Sequence, residues 1–578
     1  MKDTEVVVRV AGAAGDGVQS AGLIIAKAFS RSGLYVNTYN YYQSLIRGGQ
    51  SWYQIRAAHD RVKSQGDGLD VLIALNKDGV ERHTNPMINE GGASSLEGIA
   101  IFDKGITGFE KRDVIYCAMP LEEIAAKHGK NPLMKNTVAI GAMAAAVNLD
   151  FEIVAGVIAD QFGHKGDVAD QNVSAAKEGF DYYSVNFKKI KKNIQYGGKK
   201  KYLMAGGEAV GLGAVSGGLK MYVGYPMTPA TSVIHFLASH AKQFDIFMKI
   251  SEDEISAINM AIGANYAGVR AMTGSSGGGF ALMTEAVGMS GMMEIPLVVY
   301  EAQRSGPSTG LPTKTEQGDL MQVIGASQGD YPKVIFAPRT VEEAFYLTRE
   351  ALNLAERLQI PVFVMSDLYL AEHYETADDL DLNFKVDRGL RAKDNEKDYR
   401  RYRYTENGLS TRALPGQAGL MHNEDSDEHN EFGAVVSDAD TDPTIRKKSM
   451  EKRMKKMAIY LKEMPPTDTY KFSDAEYAIV QWGSTQGVVE EAIDSLRARG
   501  IKAGAVEISR VYPLNPDIGR LLSGKKKIIV VENNYSGQMN RLLRSEFLVK
   551  TDLVTKYDGE SFYPGALSEE LEAIIRRN

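Results

Sequence analysis

Short apolar runs punctuate this chain, and most of them stop at a glycine or a polar cluster. Met221-Tyr222-Val223-Gly224 runs into Tyr225-Pro226-Met227-Thr228-Pro229, and Phe244 to Ile250 runs into Ser251-Glu252-Asp253-Glu254. Val269 to Met272 leads to Thr273-Gly274-Ser275-Ser276-Gly277-Gly278-Gly279-Phe280, and Pro296 to Tyr300 leads to the long run Gln303 to Asp319. Pro361 to Ser366 is a fifth such run. A short, continuously apolar run between turn signals reads as a strand covered on both faces, as in a parallel sheet between helix layers. In such sheets the loops after the strands carry the chemistry. The expected fold class is therefore α/β with doubly wound units, and Tyr225 to Asp319 is where function should concentrate.

At 578 residues the chain exceeds one core, which predicts three or four domains. With 44% hydrophobic and 24% charged residues it reads as an ordinary globular protein. A net charge of −7 argues against nucleic acid as the main partner. No window holds eighteen uncharged apolar residues, so no membrane span is expected, and Met1-Lys2-Asp3-Thr4-Glu5 lacks an apolar signal segment. The single cysteine, Cys117, excludes an internal disulfide and fits a reducing cytoplasm. It also excludes an all-cysteine iron–sulfur cluster or zinc site built by this chain alone.

The pattern divides the chain. Residues 5–10 read as a buried strand, followed by Gly12, Gly15 and Gly17 and a helical run from Gly22 to Phe29. That turn fits either an anion cradle at a helix N-terminus or a plain βα turn. Arg47-Gly48-Gly49 precedes an alternating strand, Ser51 to Arg56; Val71 to Asn76 is another strand, and Asn136 starts a helix over Thr137–Val147. This unit should fill residues 1–187, with the lysine-rich 188–201 a solvated linker. The second unit should span 202–384. Its small residues Gly206 to Ala214 predict a closely packed helix, and Ile255, Ile258, Ile262 and Tyr266 form a helical stripe. Residues 385–470 are densely charged and read as an extended connecting segment that wraps other domains and ends in a helix, Arg446 to Glu463. His422 and His429 in it are expected at the surface without a metal. From 471 to 578 the βαβ pattern returns, with strands at Ala478–Thr485, Ala503–Ile508 and Lys527–Glu532 and a helix from Val488 to Arg499 that Gly500 ends.

The central motifs carry a resemblance. Tyr225-Pro226-Met227-Thr228-Pro229, Glu254 and Gln303-Arg304-Ser305-Gly306-Pro307 through Thr315-Glu316-Gln317-Gly318-Asp319 resemble the α subunit of 2-oxoacid:ferredoxin oxidoreductases, with Met227 where that family has isoleucine. Residues 5–185 resemble its γ domain, fused ahead of the α domain, and 475–560 resemble its transketolase C-terminal-like domain. Leu414-Pro415-Gly416, Asp427-Glu428-His429 and Lys452-Arg453 fit the family's intervening segment. The resemblance implies three doubly wound domains: a γ domain, a pyrimidine-binding-like domain and a transketolase C-terminal-like domain.

It also implies a division of labour. Thiamine diphosphate would lie between this chain and a β subunit, near Tyr225, Pro226 and Glu254, with Glu254 the carboxylate on its ring nitrogen. Ser251-x-x-Glu254 is equally a capping box, so both roles stay open on residue pattern. Thr228 and Arg304 match the positions that hold the 2-oxoacid; a guanidinium pairs well with a carboxylate, whereas the residue type alone reads as a loop salt bridge. Gly15-Asp16-Gly17 begins like the thiamine-diphosphate magnesium motif, but only isolated Asn37 and Asn40 follow, so Mg2+ and a [4Fe-4S] cluster are expected on the β subunit. Coenzyme A would meet Gly15 and Arg47. Ferredoxin would take the electrons, and an (αβ)2 assembly is expected in the cytoplasm. 2-Oxoglutarate is the expected substrate, with pyruvate or branched-chain 2-oxoacids as alternatives. A non-oxidative thiamine enzyme would need its own diphosphate motif. A regulatory scaffold would make Glu254, Thr228 and Arg304 replaceable.

Overall fold

A computed structural model describes residues 4–44, 48–85, 96–163, 166–436 and 442–577. The first unit comprises β1 (Glu5–Ala14), α1 (Val18–Arg31), β2 (Tyr35–Tyr41), β3 (Gly48–Ala58), β4 (Leu69–Ala74), α2 (Lys77–Thr84), β5 (Leu96–Asp103), β6 (Ile115–Met119), α3 (Leu121–His128), α4 (Met134–Ala146), α5 (Phe151–Phe162) and α6 (Val168–Asn186). The second holds β7 (Tyr202–Ala205), α7 (Gly206–Ser216), β8 (Met221–Gly224), α8 (Thr231–Phe244), β9 (Phe247–Ile250), α9 (Glu254–Tyr266), β10 (Ala271–Ser275), α10 (Gly277–Met293), β11 (Leu297–Gln303), α11 (Leu320–Ile324), β12 (Val334–Phe336), α12 (Val341–Leu358), β13 (Pro361–Asp367), α13 (Leu368–Glu372) and β14 (Tyr374–Ala377). The connecting segment ends in α14 (Pro443–Glu463), and the third unit holds β15 (Asp468–Tyr470), β16 (Tyr477–Trp482), α15 (Gln486–Ala498), β17 (Ala503–Ile508), β18 (Arg510–Tyr512), α16 (Asp517–Leu522), β19 (Lys527–Glu532), α17 (Gln538–Phe547), β20 (Asp552–Thr555) and α18 (Pro564–Arg576).

Three sheets organise these elements, in the orders β6-β5-β4-β1-β3-β2-β14-β7, β18-β12-β13-β11-β10-β8-β9 and β15-β17-β16-β19-β20. The middle sheet is parallel except at β18, and all seven residues of its strand β11 are buried. The units interlock by lending strands. β7 and β14 of the second unit complete the first sheet, where Glu375 pairs with Asn37. β18 of the third unit joins the second sheet, where Tyr512 pairs with Ile335.

The glycine-rich helix α7 packs as its composition predicts: a Cβ on Gly213 would stand 2.3 Å from the Phe345 carbonyl oxygen of α12. Other details differ from expectation. The run from Phe244 is not all strand, because α8 continues to Phe244 and Asp245 turns left-handed at φ 50°, leaving only Phe247–Ile250 extended. On α9 the inner face is Glu254, Ala257, Ile258, Ala261, Ile262 and Asn265, so Ile255 faces out. Residues 188–201 form no helix or strand, yet they are not a free linker: Ile190, Ile194 and Tyr196 pack on the first core, and Lys192 Nζ lies 3.0 Å from buried Asp70.

The connecting segment is held by buried charge. Lys452 and Lys456 of α14 lie 2.7 and 2.5 Å from Glu294, at the C-terminal end of α10. Arg401 pairs with Glu424, and Glu356 of α12 meets Arg388, Arg391 and Arg412. His429 is buried rather than at the surface, its ring 3.8 Å from that of Tyr402. Among the described residues no helix is long and apolar enough to cross a membrane.

Candidate functional site

Strands β11, β10, β8 and β9 lie side by side and point the same way, so their following loops share one rim. The chain leaves β8 toward β9 and leaves β10 toward β11, on the opposite side. A crevice therefore opens between β8 and β10, the position where such sheets take ligands.

Glu254 enters this rim as the first residue of α9. The helix is capped by Asp253, whose carboxylate accepts from Ser256 N at 2.7 Å, while Ser251 Oγ donates to the Asp253 carbonyl oxygen at 2.9 Å. The alternative box between Ser251 and Glu254 is not formed. Glu254 is 3% exposed, and its buried Oε1 has no hydrogen-bond partner. An unpaired buried carboxylate oxygen is costly unless something arrives to bond it. Its close neighbour is Gly279 in the first turn of α10, where even a methyl group would stand 2.3 Å from Oε1.

Arg304 is the first residue after β11. Its Nη1 donates to the Thr228 carbonyl oxygen at 2.8 Å, which brings these two residues together and leaves the rest of the guanidinium fork for other acceptors. Burial lowers its pKa from the ordinary arginine value, and the charge of Asp319 offsets part of that. Behind it, Glu301 is fully buried with neither carboxyl oxygen accepting a hydrogen bond. Burial, then the neighbouring Asp319, push its carboxyl well above the usual range. Tyr225 and Pro226 lie exposed at the mouth of the crevice.

The third unit closes the other side. Gln317 N donates to the Asn533 carbonyl oxygen at 2.6 Å, and Asn533 N returns a bond to Gln317 Oε1 at 3.0 Å. Gln538 bonds both the Gly318 carbonyl oxygen and Met321 N. Between these loops is a cavity of about 740 Å³, lined by Met227, Ser276, Gly277, Arg304, Asp319 and the segment Asn534–Ser536, among others. Arg304 is the one cation among its described lining residues.

Thr228, Glu254 and Arg304 thus share one rim, whereas Gly15 does not. Gly15 is exposed on the loop after β1, in the first sheet, with φ 98° and open space where a Cβ would be. Asp16 beside it is tied into that turn, its Oδ2 accepting from Ala13 N at 2.8 Å. Arg47 lies outside the described residues. Sequence reasoning assigned no role to Ser276, Glu301, Asp319 or the Asn534–Gln538 loop, which line or back this cavity. Glu254 had a signal in the helix itself: carrying the inner stripe of α9 back one turn from Ala257 and Ile258 lands on a carboxylate.

Known proteins resemble this chain along most of its length. Three family models match in order: "Pyruvate ferredoxin/flavodoxin oxidoreductase" over residues 7–182, "Pyruvate flavodoxin/ferredoxin oxidoreductase, thiamine diP-bdg" over 212–450, and "Pyruvate:ferredoxin oxidoreductase core domain II" over 475–565. The chain is 31% identical to the 2-oxoacid:ferredoxin oxidoreductase subunit alpha of a Sulfolobus species, across 98% of this chain and 96% of that one. It is 32% identical to the 2-oxoglutarate synthase subunit KorA of Methanocaldococcus jannaschii, across 65% of this chain and 99% of the relative. A solved 2-oxoglutarate:ferredoxin oxidoreductase from Magnetococcus marinus, with 2-oxoglutarate, coenzyme A and succinyl-CoA bound, superposes with a TM-score of 0.90 at 33% identity, covering 99% of this chain and 100% of that one. The chain belongs to the α subunits of the 2-oxoacid:ferredoxin oxidoreductases, enzymes of the EC 1.2.7 type, and carries their thiamine-diphosphate-binding domain.

Proposed function

We propose that this chain binds the pyrimidine side of thiamine diphosphate through Glu254 and holds a 2-oxoacid through Arg304 and Thr228. The reaction would be oxidative decarboxylation, in which a 2-oxoacid, coenzyme A and two oxidised ferredoxins give acyl-CoA, CO2, two reduced ferredoxins and a proton. 2-Oxoglutarate is the favoured substrate, supported by the relatives named for it. The observation that carries the reading is the buried, unpartnered Oε1 of Glu254, beside a crevice that also holds Arg304.

The residues fit the cofactor. A pyrimidine ring nitrogen needs a carboxylate with a free oxygen in a wall that excludes water, and Glu254 offers one. When bound, thiamine diphosphate supplies an acidic carbon that attacks the keto group and stores the electron pair left by CO2. Glu254 Oε1 would hold a proton shared with the ring nitrogen. Arg304, with one nitrogen fixed on the Thr228 carbonyl oxygen, would turn its free nitrogens to the substrate carboxylate. Tyr225 and Pro226 would line the cofactor's approach. A dicarboxylic substrate presents a second charge, which this cavity does not match, so its partner would come from the β subunit.

That subunit would also hold the diphosphate, Mg2+ and the [4Fe-4S] cluster, since this chain has one cysteine. Coenzyme A would be taken by the first unit at Gly15, whose left-handed backbone leaves room for close approach, and at Arg47. An (αβ)2 assembly in the cytoplasm, passing electrons to ferredoxin, completes the reading.

Glu254→Gln tests it. The amide keeps length and shape but cannot hold the shared proton. The expected result is near-normal assembly and melting with a severe loss of hydrogen–deuterium exchange at C2 of thiamine. A complex that melts normally and exchanges C2 at the native rate removes Glu254 from the mechanism.

A further inference from the structure

The loop that carries the site residues 304–319 is fastened at one side chain to both other units. Lys314 Nζ lies 3.1 Å from Glu560 Oε1, in the loop after β20, and 3.1 Å from the centroid of the Tyr41 ring, at the end of β2. The contact is well built on each side. Tyr41 stacks on Trp52 of β3 with an interplanar angle of 4°. The other oxygen of Glu560 accepts a hydrogen bond from Tyr39 OH at 2.5 Å. The Glu560 carbonyl oxygen accepts from Asn533 Nδ2 at 2.9 Å, and Thr315 N donates to the Gly559 carbonyl oxygen at 3.2 Å. The lysine side chain is 15% exposed and Glu560 16%. An ammonium on an aromatic face and on a carboxylate, both largely out of water, is held much more firmly than a surface ion pair.

The other end of this residue reaches the site. Ser305 N donates to the Lys314 carbonyl oxygen at 3.1 Å, and Lys314 N donates to the Leu311 carbonyl oxygen at 3.0 Å. The loop therefore doubles back so that Lys314 is bonded to the residue next to Arg304.

We propose that Lys314 is a positioning residue: the Tyr41–Lys314–Glu560 clasp lets the first and third units set where the Arg304 guanidinium stands. This rests on Arg304 as the group that meets the substrate carboxylate. The clasp ties the strand that leads toward Arg47 to the loop that grips the 2-oxoacid. A shift of the first unit against the second is thus felt at the substrate.

The test uses the assembled complex and the 2-oxoacid KM. Lys314→Met should raise KM about tenfold with a smaller change in kcat, because the guanidinium is displaced rather than removed. Lys314→Arg, which keeps a cation able to meet both ring and carboxylate, should restore most of it. Tyr41→Leu should raise KM similarly, and the double variant Tyr41→Leu/Lys314→Met should be no worse than either single one, since both break one device. Unchanged KM in Lys314→Met, no rescue by arginine, or independent effects that multiply in the double variant would overturn the proposal. Should Lys314→Met assemble poorly, Tyr41→Leu decides, because it leaves the pair with Glu560 in place. Arg304→Ala separates the two ideas. If it raises KM while the clasp variants do not, the clasp fails and the substrate contact stands. If the clasp variants raise KM while Arg304→Ala does not, the substrate contact fails and with it the proposal that the clasp acts through Arg304.

Discussion

Replacing Gly279 by alanine tests the placement of Glu254 without touching Glu254. The new methyl would stand 2.3 Å from Glu254 Oε1 and 2.2 Å from Ser275 Oγ. Ordinary carbon–oxygen contact needs roughly 1 Å more than that, consistent with the optimal spacing of non-bonded heavy atoms. Both obstacles are ends of side chains, so they swing aside while the backbone keeps its course. The substitution also removes a glycine from a helix, which gains up to about 1 kcal/mol of helix propensity and offsets the crowding. A displacement of about 1 Å at a catalytic group costs on the order of a hundredfold in rate. The assay is C2 hydrogen–deuterium exchange of thiamine in the assembled complex, alongside a melting curve. Exchange should fall about a hundredfold with Tm within a few degrees of native. Gly263→Ala is the control: it lies on α9, the helix that carries Glu254, and its would-be Cβ points into open space, with no atom outside its own helical turn within 4 Å. A Gly279→Ala complex that exchanges at the native rate refutes the link between the position of this carboxylate and cofactor activation.

Arg304→Ala should lower kcat/KM by roughly ten- to a hundredfold, the cost of about 1.5–3 kcal/mol for a charged hydrogen bond, with Arg304→Lys recovering part; unchanged steady-state kinetics would leave the arginine structural. Glu294→Gln should cost about 3–5 kcal/mol in chemical denaturation, because it strands two buried lysines, and an unchanged midpoint would count against the buried pair. Glu372 gives a pH prediction. Burial raises its carboxyl to about 7, against the pull of the hydrogen bond from Tyr42 OH. A folded pKa above the unfolded one means the folded state binds the proton more tightly. The associated stability is full below about pH 4 and is lost as pH rises through about 7. Glu372→Gln should therefore melt higher than native by on the order of 1–3 kcal/mol at pH 8 and match it near pH 4, as read by thermal denaturation across pH; equal melting at both values would refute the assignment.

The parallel sheet and its site rim were legible because β8, β11 and β13 each open on an apolar run and the segments that follow the strands begin with glycine or a polar cluster. Thr228 and Arg304 could be named because their motifs are local in sequence. What pattern could not give is contact between remote segments. Nothing in Lys314 announces Tyr41, and nothing in the charges of 385–470 announces that Glu294 and Glu356 receive them in the interior. Dense charge reads as solvated surface, whereas here it is the packing material, because a segment with little apolar content can only be buried by pairing. The capping box between Ser251 and Glu254 failed for a local reason. Asp253 sits two residues nearer the helix start than Ser251 and wins the cap, which frees the glutamate.

The strands that the units lend one another carry a consequence for biosynthesis. β2 ends at Tyr41, yet its neighbour β14 ends only at Ala377. At the usual pace of a ribosome the second follows the first by roughly 15–70 s. Throughout that interval the nascent chain presents β2 as a bare edge, seven residues long and rich in tyrosine and β-branched side chains, the profile that recruits foreign strands. The second sheet waits likewise for β18 at Arg510–Tyr512. Synthesis of this chain should therefore lean on chaperones that shield strand edges, and a fragment stopped before residue 374 should aggregate through β2 rather than fold as a free-standing unit.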